Sequence, residues 1–290
     1  MNTYSDSAMN PSGQVRELEF ATRGQAGFDG EGVKLTRLIG SPQLNMFDPF
    51  LLLDAFESDQ PQDYIGGFPD HPHRGFETVT YLLAGRMRHK DSAGHEGVVE
   101  PGGVQWMTAG KGIVHSEMPE QENGLLMGFQ LWVNLPRHAK MTEPAYQEFP
   151  AHKTALEQWE SGTQIRVIAG RTARGTEGPV NNHYVDPTYM DIQLQAEDTF
   201  EQPLPVEHNA FIYVAEGTVT IGDRKQQVGE RTLAVLGAGE KINIHAESNS
   251  RFLLIAGQPL KEPVARGGPF VMNTKAEVLQ AFEDFQNNRF

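Results

Sequence analysis

Short apolar runs, separated by glycine and proline, make up most of the hydrophobic pattern of this 290-residue chain. Many short runs with glycine-rich turns are typical of strands in an all-β sandwich or barrel. The pattern therefore predicts an all-β fold, and we expect its main strands at Val33–Ile39, Phe50–Leu53, Thr78–Leu83, Val104–Met107, Leu125–Val133, Gln164–Ile168, Met190–Leu194, Phe211–Val214, Thr218–Ile221, Thr232–Leu236, Lys241–Ile244 and Arg251–Ala256.

One segment near the C-terminus has the helical period instead. Thr274 and Glu277 form a capping-box pattern, in which each side chain can bond the other residue's backbone N–H. Val278, Leu279 and Phe282 follow at helical spacing. We therefore expect an amphipathic C-terminal α-helix packed on the β structure.

An internal repeat divides the chain into two similar halves. The string Tyr81-Leu-Leu-Ala-Gly85 resembles Tyr213-Val-Ala-Glu-Gly217, and His115-Ser-Glu117 matches His245-Ala-Glu247 at nearly the same distance downstream. A repeat of this size predicts two similar domains rather than a solenoid. We place the first domain at residues 1–135 and the second, with the C-terminal helix, at residues 164–290.

The segment between the two domains, residues 136–163, has the composition of a connector. It contains Pro136, Pro144 and Pro150 and few strand signals. Its run Thr154-Ala-Leu-Glu157 is expected to form one helical turn.

Charge and hydropathy argue against two classes of partner. The formal net charge is −14, which disfavours binding to nucleic acid or anionic lipid. No apolar run approaches the ~18 residues of a membrane span, and Met1–Gly13 lacks the features of a secretory signal. We expect a monomer in the cytoplasm, or also in the nucleus if the source is eukaryotic.

The chain contains no cysteine. Disulfides, thiolate nucleophiles and cysteine-ligated metal clusters are therefore excluded. Any metal must be held by imidazole nitrogen and by carboxylate or carbonyl oxygen, which leaves zinc, iron, manganese, nickel and copper as candidates.

Two pairs of potential metal ligands have the spacing of side chains on one face of a strand. His71 and His73 are two residues apart, as are His115 and Glu117. Side chains at this spacing share one face of a strand, so the two pairs can bring three imidazoles and one carboxylate to one ion. A six-coordinate metal held in this way keeps two positions open, as catalytic sites do.

The competing interpretation is that these histidines lie on surface loops. Roughly 0.3 His-x-His pairs arise by chance at this composition, and His-x-Asp/Glu pairs arise more often. Both pairs lie beside strand signals and glycine turns, which favours the site. His89 and His95, in contrast, flank a predicted hairpin turn and are expected to be solvated.

Longer strings resemble a known family. The spacing Gly66-x4-His71-x-His73-x3-Glu77 resembles the first motif of the cupin superfamily, and 103–115 resembles the second. Three strings are similar to the pirin family specifically: His71-Pro-His-Arg-Gly-Phe-Glu-Thr-Val-Thr-Tyr81, Gln105-Trp-Met-Thr-Ala-Gly-Lys-Gly-Ile-Val-His-Ser-Glu-Met-Pro119 and Gly268-Pro-Phe-Val-Met-Asn-Thr274.

The resemblance implies a bicupin of two stacked β-sandwich barrels. It also implies one divalent metal per chain, usually iron as Fe(II), in the N-terminal barrel. The implied ligands are His71, His73, His115 and Glu117. Cupins often use the carboxylate of the first motif, here Glu77, whereas the pirin pattern takes Glu117.

Glu77 has the same strand parity as His71 and His73, so it can still face the site. A role in supporting the ligands or as a base competes with a purely structural carboxylate. We expect Glu117 and Glu77 to be the catalytic carboxylates.

The second half lacks an equivalent ligand set. Sliding the repeat onto itself places His71 and His73 on Pro203 and Pro205, which cannot ligate through a side chain. His245 and Glu247 then remain as a two-ligand remnant, and we expect the second domain to be metal-free.

Three functions remain open. Some pirin-family members cleave quercetin with dioxygen, which implies a flavonol-like small-molecule substrate. Animal members act as metal-dependent coregulators of transcription factors, which implies a protein partner. A cupin isomerase or hydrolase that uses zinc is the third alternative.

Overall fold

The computed structural model describes residues 13–290, so nearly all of Met1–Gly13, where no signal sequence is expected, lies outside the described part. The first half contains the strands β1 (Leu18–Thr22), β2 (Gln25–Asp29), β3 (Val33–Ile39), β4 (Phe50–Ser58), β5 (Phe68–His73), β6 (Phe76–Ala84), β7 (Met87–Asp91), β8 (Glu96–Val99), β9 (Val104–Thr108), β10 (Ile113–Pro119) and β11 (Leu126–Asn134). Two single-turn 3₁₀ helices lie at Pro61–Asp63 and Arg137–Ala139.

The remainder of the chain continues the same pattern and ends in one helix. Its elements are β12 (Ala145–Phe149), β13 (Ala155–Gln158), β14 (Gln164–Ala169), β15 (Thr188–Leu194), β16 (Thr199–Pro203), β17 (Asn209–Glu216), β18 (Thr218–Ile221), β19 (Gln226–Gly229), β20 (Thr232–Leu236), β21 (Lys241–Ala246), β22 (Ser250–Gly257), β23 (Ala265–Gly267), β24 (Phe270–Met272) and α1 (Lys275–Gln286).

Each domain is a sandwich of a seven-stranded and a four-stranded sheet. The first domain has the strand orders β12-β9-β6-β11-β4-β3-β2 and β5-β10-β7-β8. The second has β1-β20-β17-β22-β15-β14-β13 and β16-β21-β18-β19. Within residues 13–290 the two sheets of a domain are not joined edge to edge. The expectation of a closed barrel is therefore wrong, while the two-domain all-β fold is confirmed.

The two strand orders match position by position, which explains the internal repeat. β6 and β17, which carry the repeated tyrosine strings, hold the same central place in their sheets, and β10 and β21 hold the same place in the smaller sheets. The repeat in sequence is thus a repeat of topology.

One edge of each large sheet is completed by a strand from outside the repeated part of its domain. β1 comes from the N-terminal segment but pairs with β20 in the second domain, and β12 follows the first domain and pairs with β9. An unpaired edge strand exposes its backbone hydrogen-bonding groups, and these additions cover the equivalent edge of each large sheet.

The segment expected to be a connector therefore contributes to both sheets. β12 completes the first domain, and β13 pairs with β14 of the second. The helical turn expected at Thr154–Glu157 is wrong, because residues 155–158 satisfy their backbone groups by this strand pairing instead.

The two large sheets face each other across an apolar core. Val79, Tyr81 and Phe129 of the first domain pack in the same cluster as Phe211 and Leu253 of the second. The interior of the second domain is a separate, fully apolar cluster. The first domain thus contributes one face of its large sheet to the interface, and its own interior holds smaller apolar clusters together with buried polar residues.

Helix α1 has the expected capping box, with the Thr274 side chain accepting from the Glu277 backbone N–H. It packs on the β23–β24 hairpin, through contacts such as Phe270 with Phe282. That hairpin and helix lie against the first domain rather than the second, because Arg74 forms a bridge with Phe270 and an ion pair of 2.7 Å with Asp284. The C-terminal segment therefore supports the strand that carries His71 and His73.

A buried polar cluster joins the domains within their apolar interface. The Tyr81 hydroxyl of β6 donates to the Asp191 carboxylate of β15 at 2.6 Å. Arg251 of β22 donates two hydrogen bonds to the same carboxylate, at 3.0 and 2.6 Å. Asp191 is therefore the shared acceptor of both domains.

We expect Asp191→Ala to destabilise the protein by about 3 kcal/mol, because it leaves a partly buried guanidinium and a buried hydroxyl without an acceptor. Tyr81→Phe removes one donor from a carboxylate that keeps Arg251, and should cost about 1 kcal/mol. Urea unfolding of both variants measures the difference. Equal losses would show that Asp191 is not the centre of the cluster.

Candidate metal centre

Two neighbouring strands of the small sheet bring three histidines together. β5 and β10 pair antiparallel with His71 opposite His115, and His73 lies two residues further along β5. The ring centroids of His71 and His115 are 4.4 Å apart, and those of His73 and His115 are 5.0 Å apart. The strand spacing that the sequence suggested is therefore realised in three dimensions.

The ring nitrogens of this cluster fit a metal ion. One nitrogen from each histidine lies within 4.8 Å of the others. Both nitrogens of His115 and Nδ1 of His73 are buried with no hydrogen-bond partner. Buried polar atoms without partners are costly, and a bound cation would satisfy those that face it.

The protonation of the cluster also suits metal binding. Burial lowers the pKa of His73 and of His115 well below the usual histidine range, and the neighbouring imidazoles lower both further. His71 donates from Nδ1 to the Pro69 carbonyl oxygen at 2.8 Å, which leaves its Nε2 lone pair free. Neutral imidazoles with free lone pairs are the form that ligates a metal.

Glu117 lies beside the histidines and is oriented by two neutral donors. Its carboxylate accepts from the Thr80 hydroxyl at 2.6 Å and from the Gln130 amide at 2.8 Å. It lines the same cavity as His71 and His73, but it does not belong to the group of mutually close ligand atoms. Its role as fourth ligand therefore stays a prediction.

Sequence reasoning missed Thr80 and Gln130. Both lie on strands of the large sheet, β6 and β11, which cross over the site from the opposite side of the sandwich. Thr80 is buried, at 2% exposure, in the interior of the domain. A polar residue within an otherwise apolar strand was the available signal, because buried polar groups need partners.

A cavity of about 380 Å³ opens beside the cluster. Its walls are largely apolar, with Leu35, Leu52, Phe56, Phe68 and Trp132 among the lining residues. An apolar cavity with a few convergent polar groups is the usual form of a small-molecule site.

Glu77 does not share this cavity, contrary to the expectation from strand parity. Gly75, with φ of +88°, separates β5 from β6, so Glu77 belongs to the large sheet and not to the strand of His71 and His73. Its carboxylate accepts from the Thr108 hydroxyl at 2.7 Å and from the side chain of Asn182, in the second half of the chain. Glu77 is therefore a buried interface carboxylate, and burial raises its pKa to about 7.

His89 also differs from expectation. It was expected to be solvated, but it is 3% exposed and contacts the Glu148 carboxylate at 2.5 Å. It faces inward because β7 pairs with β10, which places His89 directly opposite Glu117. His95 is exposed, as expected, and pairs with Asp91 at 2.8 Å.

The second domain fills the equivalent interior with apolar side chains. In the first domain, His89 stands opposite Glu117. Its counterpart in the second domain is Ile221, which lies at the same distance after the corresponding glycine turn and stands opposite Ile244. Ile244 therefore occupies the position of Glu117. His245 is one residue out of register with the interior and points outward, with 35% of its side chain exposed, so it is not a remnant of the ligand set.

The alignment of His71 with Pro203 is also shifted by one residue. Gln202 stands opposite Ile242 in the second domain, as His71 stands opposite His115 in the first. The alignment on the tyrosines assumes the same spacing in both halves. The connection between β16 and β17 is longer than that between β5 and β6, so this assumption fails for the residues before it. The one group of three potential ligands within residues 13–290 is that of His71, His73 and His115.

Comparison with protein families agrees with this arrangement. The pirin family model matches residues 32–133, and the model of the pirin C-terminal cupin domain matches residues 189–290. The chain belongs to the pirin family. Both halves are cupin domains, and the expected resemblance is confirmed.

Individual pirin-family relatives match almost the whole chain. A pirin-like protein of Caulobacter vibrioides is 52% identical over 276 residues, which cover 95% of this chain and 99% of that protein. A Pseudomonas aeruginosa protein that carries the provisional name quercetin 2,3-dioxygenase is 46% identical over 274 residues, covering 93% of this chain and 96% of that protein.

A solved structure shows the same fold. The crystal structure of quercetin 2,3-dioxygenase from Acinetobacter baumannii superimposes with a TM-score of 0.85 at 35% identity, covering 95% of this chain and 98% of that chain. In the part of the chain that the structure describes, no helix has the length and apolar character needed to span a membrane.

We expect one metal per chain at this centre. His71→Ala or His115→Ala should remove most of the bound metal, because the loss of one ligand leaves too weak a set. His245→Ala is the matched control and should leave metal content unchanged. Metal analysis of the purified variants measures both, and loss of metal from His245→Ala would contradict the assignment.

Glu77 should make stability depend on pH. Its pKa of about 7 in the folded state lies above its ordinary value of 4.5. The stability that protonated Glu77 contributes is therefore fully present below pH 4.5 and is lost as pH rises through 7. Glu77→Gln does not ionise, so its free energy of unfolding should rise by on the order of 3 kcal/mol relative to wild type as pH rises from 4.5 to 7. Urea unfolding at pH 5 and pH 7.5 measures this gain.

Glu283→Gln, at an exposed position of α1, is the control for removing a carboxylate. Its stability relative to wild type should change little between the two pH values. A gain for Glu77→Gln that is the same at both pH values would contradict the raised pKa.

Proposed function

We propose that the chain is a metal-dependent enzyme that uses dioxygen to cleave a flavonol or a related enolic ring compound, with iron as Fe(II) as the resident metal. The observation that carries the proposal is the group of three histidines beside a largely apolar cavity, with buried ring nitrogens of His73 and His115 that have no hydrogen-bond partner. The likeness to quercetin 2,3-dioxygenase of Acinetobacter baumannii supports the substrate class. Zinc, manganese, nickel and copper are the other metals that this donor set accepts.

His71, His73 and His115 would hold the metal, with Glu117 as the proposed fourth ligand. The bound ion supplies a Lewis acid that lowers the pKa of a substrate hydroxyl and a centre that binds dioxygen. Three neutral imidazoles and one carboxylate around a divalent ion leave a net charge of +1. A substrate bound as a monoanion neutralises this charge, which favours an ionised enol over a neutral alcohol.

The cavity holds one carboxylate that is available for proton transfer. Asp29 and Asp54 also line the cavity, but Arg37 binds both of them. Among the described residues Glu117 is bound only by the neutral donors Thr80 and Gln130, so no cationic side chain neutralises its carboxylate. We assign the acceptance of the hydroxyl proton to Glu117, and no longer to Glu77, which lies outside the cavity.

The cavity walls control water. Leu52, Phe56 and Trp132 present apolar surface around the cluster, which holds a planar aromatic ring and limits the water that reaches a reactive intermediate. No feature of the described residues favours the alternative of a regulatory protein partner. The monomeric state and the cytoplasmic location stay predictions.

The test is quercetin turnover by the iron-loaded protein with and without dioxygen. We expect bleaching of the flavonol only with dioxygen, and loss of bleaching in His115→Ala. Glu117→Gln is nearly isosteric but not basic, so it should slow turnover by about 100-fold or more. Metal analysis of Glu117→Gln shows whether the loss comes from the base or from the ligand role.

Two results would contradict the proposal. A protein that holds iron but leaves flavonols unchanged under dioxygen would exclude the enzyme and favour the regulatory alternative. Equal turnover with zinc in place of iron, without oxygen uptake, would favour the isomerase or hydrolase alternative.

A further inference from the structure

An exposed arginine of the C-terminal hairpin forms part of the cavity wall. Arg266, on β23, also lines the cavity beside the cluster. Its guanidinium carbon lies 4.6 Å from the centroid of the Trp132 ring, and that ring lies 5.2 Å from the His73 ring. Arg266 and His73 thus contact the same ring, and the two distances place the guanidinium within about 10 Å of the His73 ring, so one two- or three-ring aromatic compound can reach both.

The two arginines of the cavity differ in their partners. Arg37 donates to both oxygens of Asp54, at 2.9 and 2.7 Å, and to Asp29 at 2.7 Å. Within the part of the chain that the structure describes, Arg266 makes no side-chain hydrogen bond or ion pair; its close contact is the stacking on Trp132. A contact with the face of a ring uses none of the guanidinium N–H groups as hydrogen-bond donors, so they stay free for another acceptor.

The hydrogen bonds of the cavity leave the donors of this arginine for a ligand. Asp29 and Asp54 act on Arg266 electrostatically, but both carboxylates are hydrogen-bonded and ion-paired to Arg37. With the net positive metal centre proposed above, the cavity then has positive groups at two places: the histidine cluster at one end and Arg266 at the other.

We propose that Arg266 determines substrate specificity by binding an anionic group, a carboxylate or an ionised phenol, at the end of the substrate remote from the metal centre. This inference rests on the proposed function, because it takes an aromatic enol as the group held at the histidines. The substrate is then an aromatic acid with two acidic ends, one bound at the histidines and the other paired with a guanidinium.

The test compares two ligands that differ only at the remote end. The neutral probe is 3-hydroxyflavone, and the anionic probe is the same compound with a carboxylate at the 4′ position. Equilibrium dissociation constants are measured by flavonol fluorescence on the metal-loaded protein without dioxygen, so that binding is observed apart from turnover. The variants are Arg266→Met, which keeps an alkyl chain over Trp132, and Arg266→Lys, which keeps the charge.

The second domain offers a matched control. Arg174 lies 4.1 Å over the Trp159 ring in the same kind of stacked contact, outside the cavity. Arg174→Met therefore removes an equivalent guanidinium and charge without touching the proposed site.

We expect Arg266→Met to weaken binding of the carboxylate probe about tenfold or more, the usual effect of losing a hydrogen-bonded charge partner, and to change binding of the neutral probe less than about twofold. Arg266→Lys should recover part of the loss, and Arg174→Met should change neither probe.

Wild type and Arg266→Met binding both probes with unchanged affinity would overturn the role of Arg266 while leaving the proposed function intact. An equal loss for both probes would also overturn it, since it would show that Arg266 acts only through its packing on Trp132. If wild type binds neither flavonol, the proposed substrate class fails, and the role of Arg266 fails with it.

Discussion

The desolvation of two imidazoles, His73 and His115, beside a third, His71, is the constraint on which the rest of this structure depends. Ring nitrogens of His73 and His115 are withdrawn from water without a hydrogen bond, and burial keeps both rings neutral. Such an arrangement is costly unless a cation binds it, and it persists only where the backbone is held firmly. The β5–β10 ladder holds the rings, and Arg74, anchored on helix α1 by Asp284, holds the end of β5.

The same constraint explains why two domains of identical strand order have different interiors. The second domain places Ile242 and Ile244 where the first has His115 and Glu117, and its interior becomes a continuous apolar core. Apolar packing there stabilises the fold without a metal. The first domain keeps only smaller apolar clusters beside its polar centre, and the opposite face of its large sheet makes an apolar contact with the second domain. The second domain thus stabilises the first, which holds the histidine cluster.

Charged side chains are divided in the same way between structure and chemistry. Glu77, Asp191 and Arg74 are each surrounded by protein partners, so their charges serve the interface and the support of the strands. Glu117 and Arg266 face the cavity, and neither is neutralised by an oppositely charged partner within hydrogen-bond distance. Whether a charged side chain is free to bind a ligand or serves to stabilise the fold therefore depends more on its protein partners than on its residue type.

The sequence by itself determined the all-β fold, the repeat, the capped C-terminal helix and the three histidines, because each is encoded by local spacing: two residues on a strand, four on a helix, one motif repeated in each half. Tertiary structure alone decided which sheet each strand joins. The glycine turn at Gly75 moved Glu77 to the interface, pairing with β10 turned His89 inward, and the longer connection between β16 and β17 shifted the alignment of His71 from Pro203 to Gln202. Strand parity predicts a shared face only along one continuous strand, and contacts between distant strands, such as Thr80 with Glu117 or Arg266 with Trp132, have no local signal.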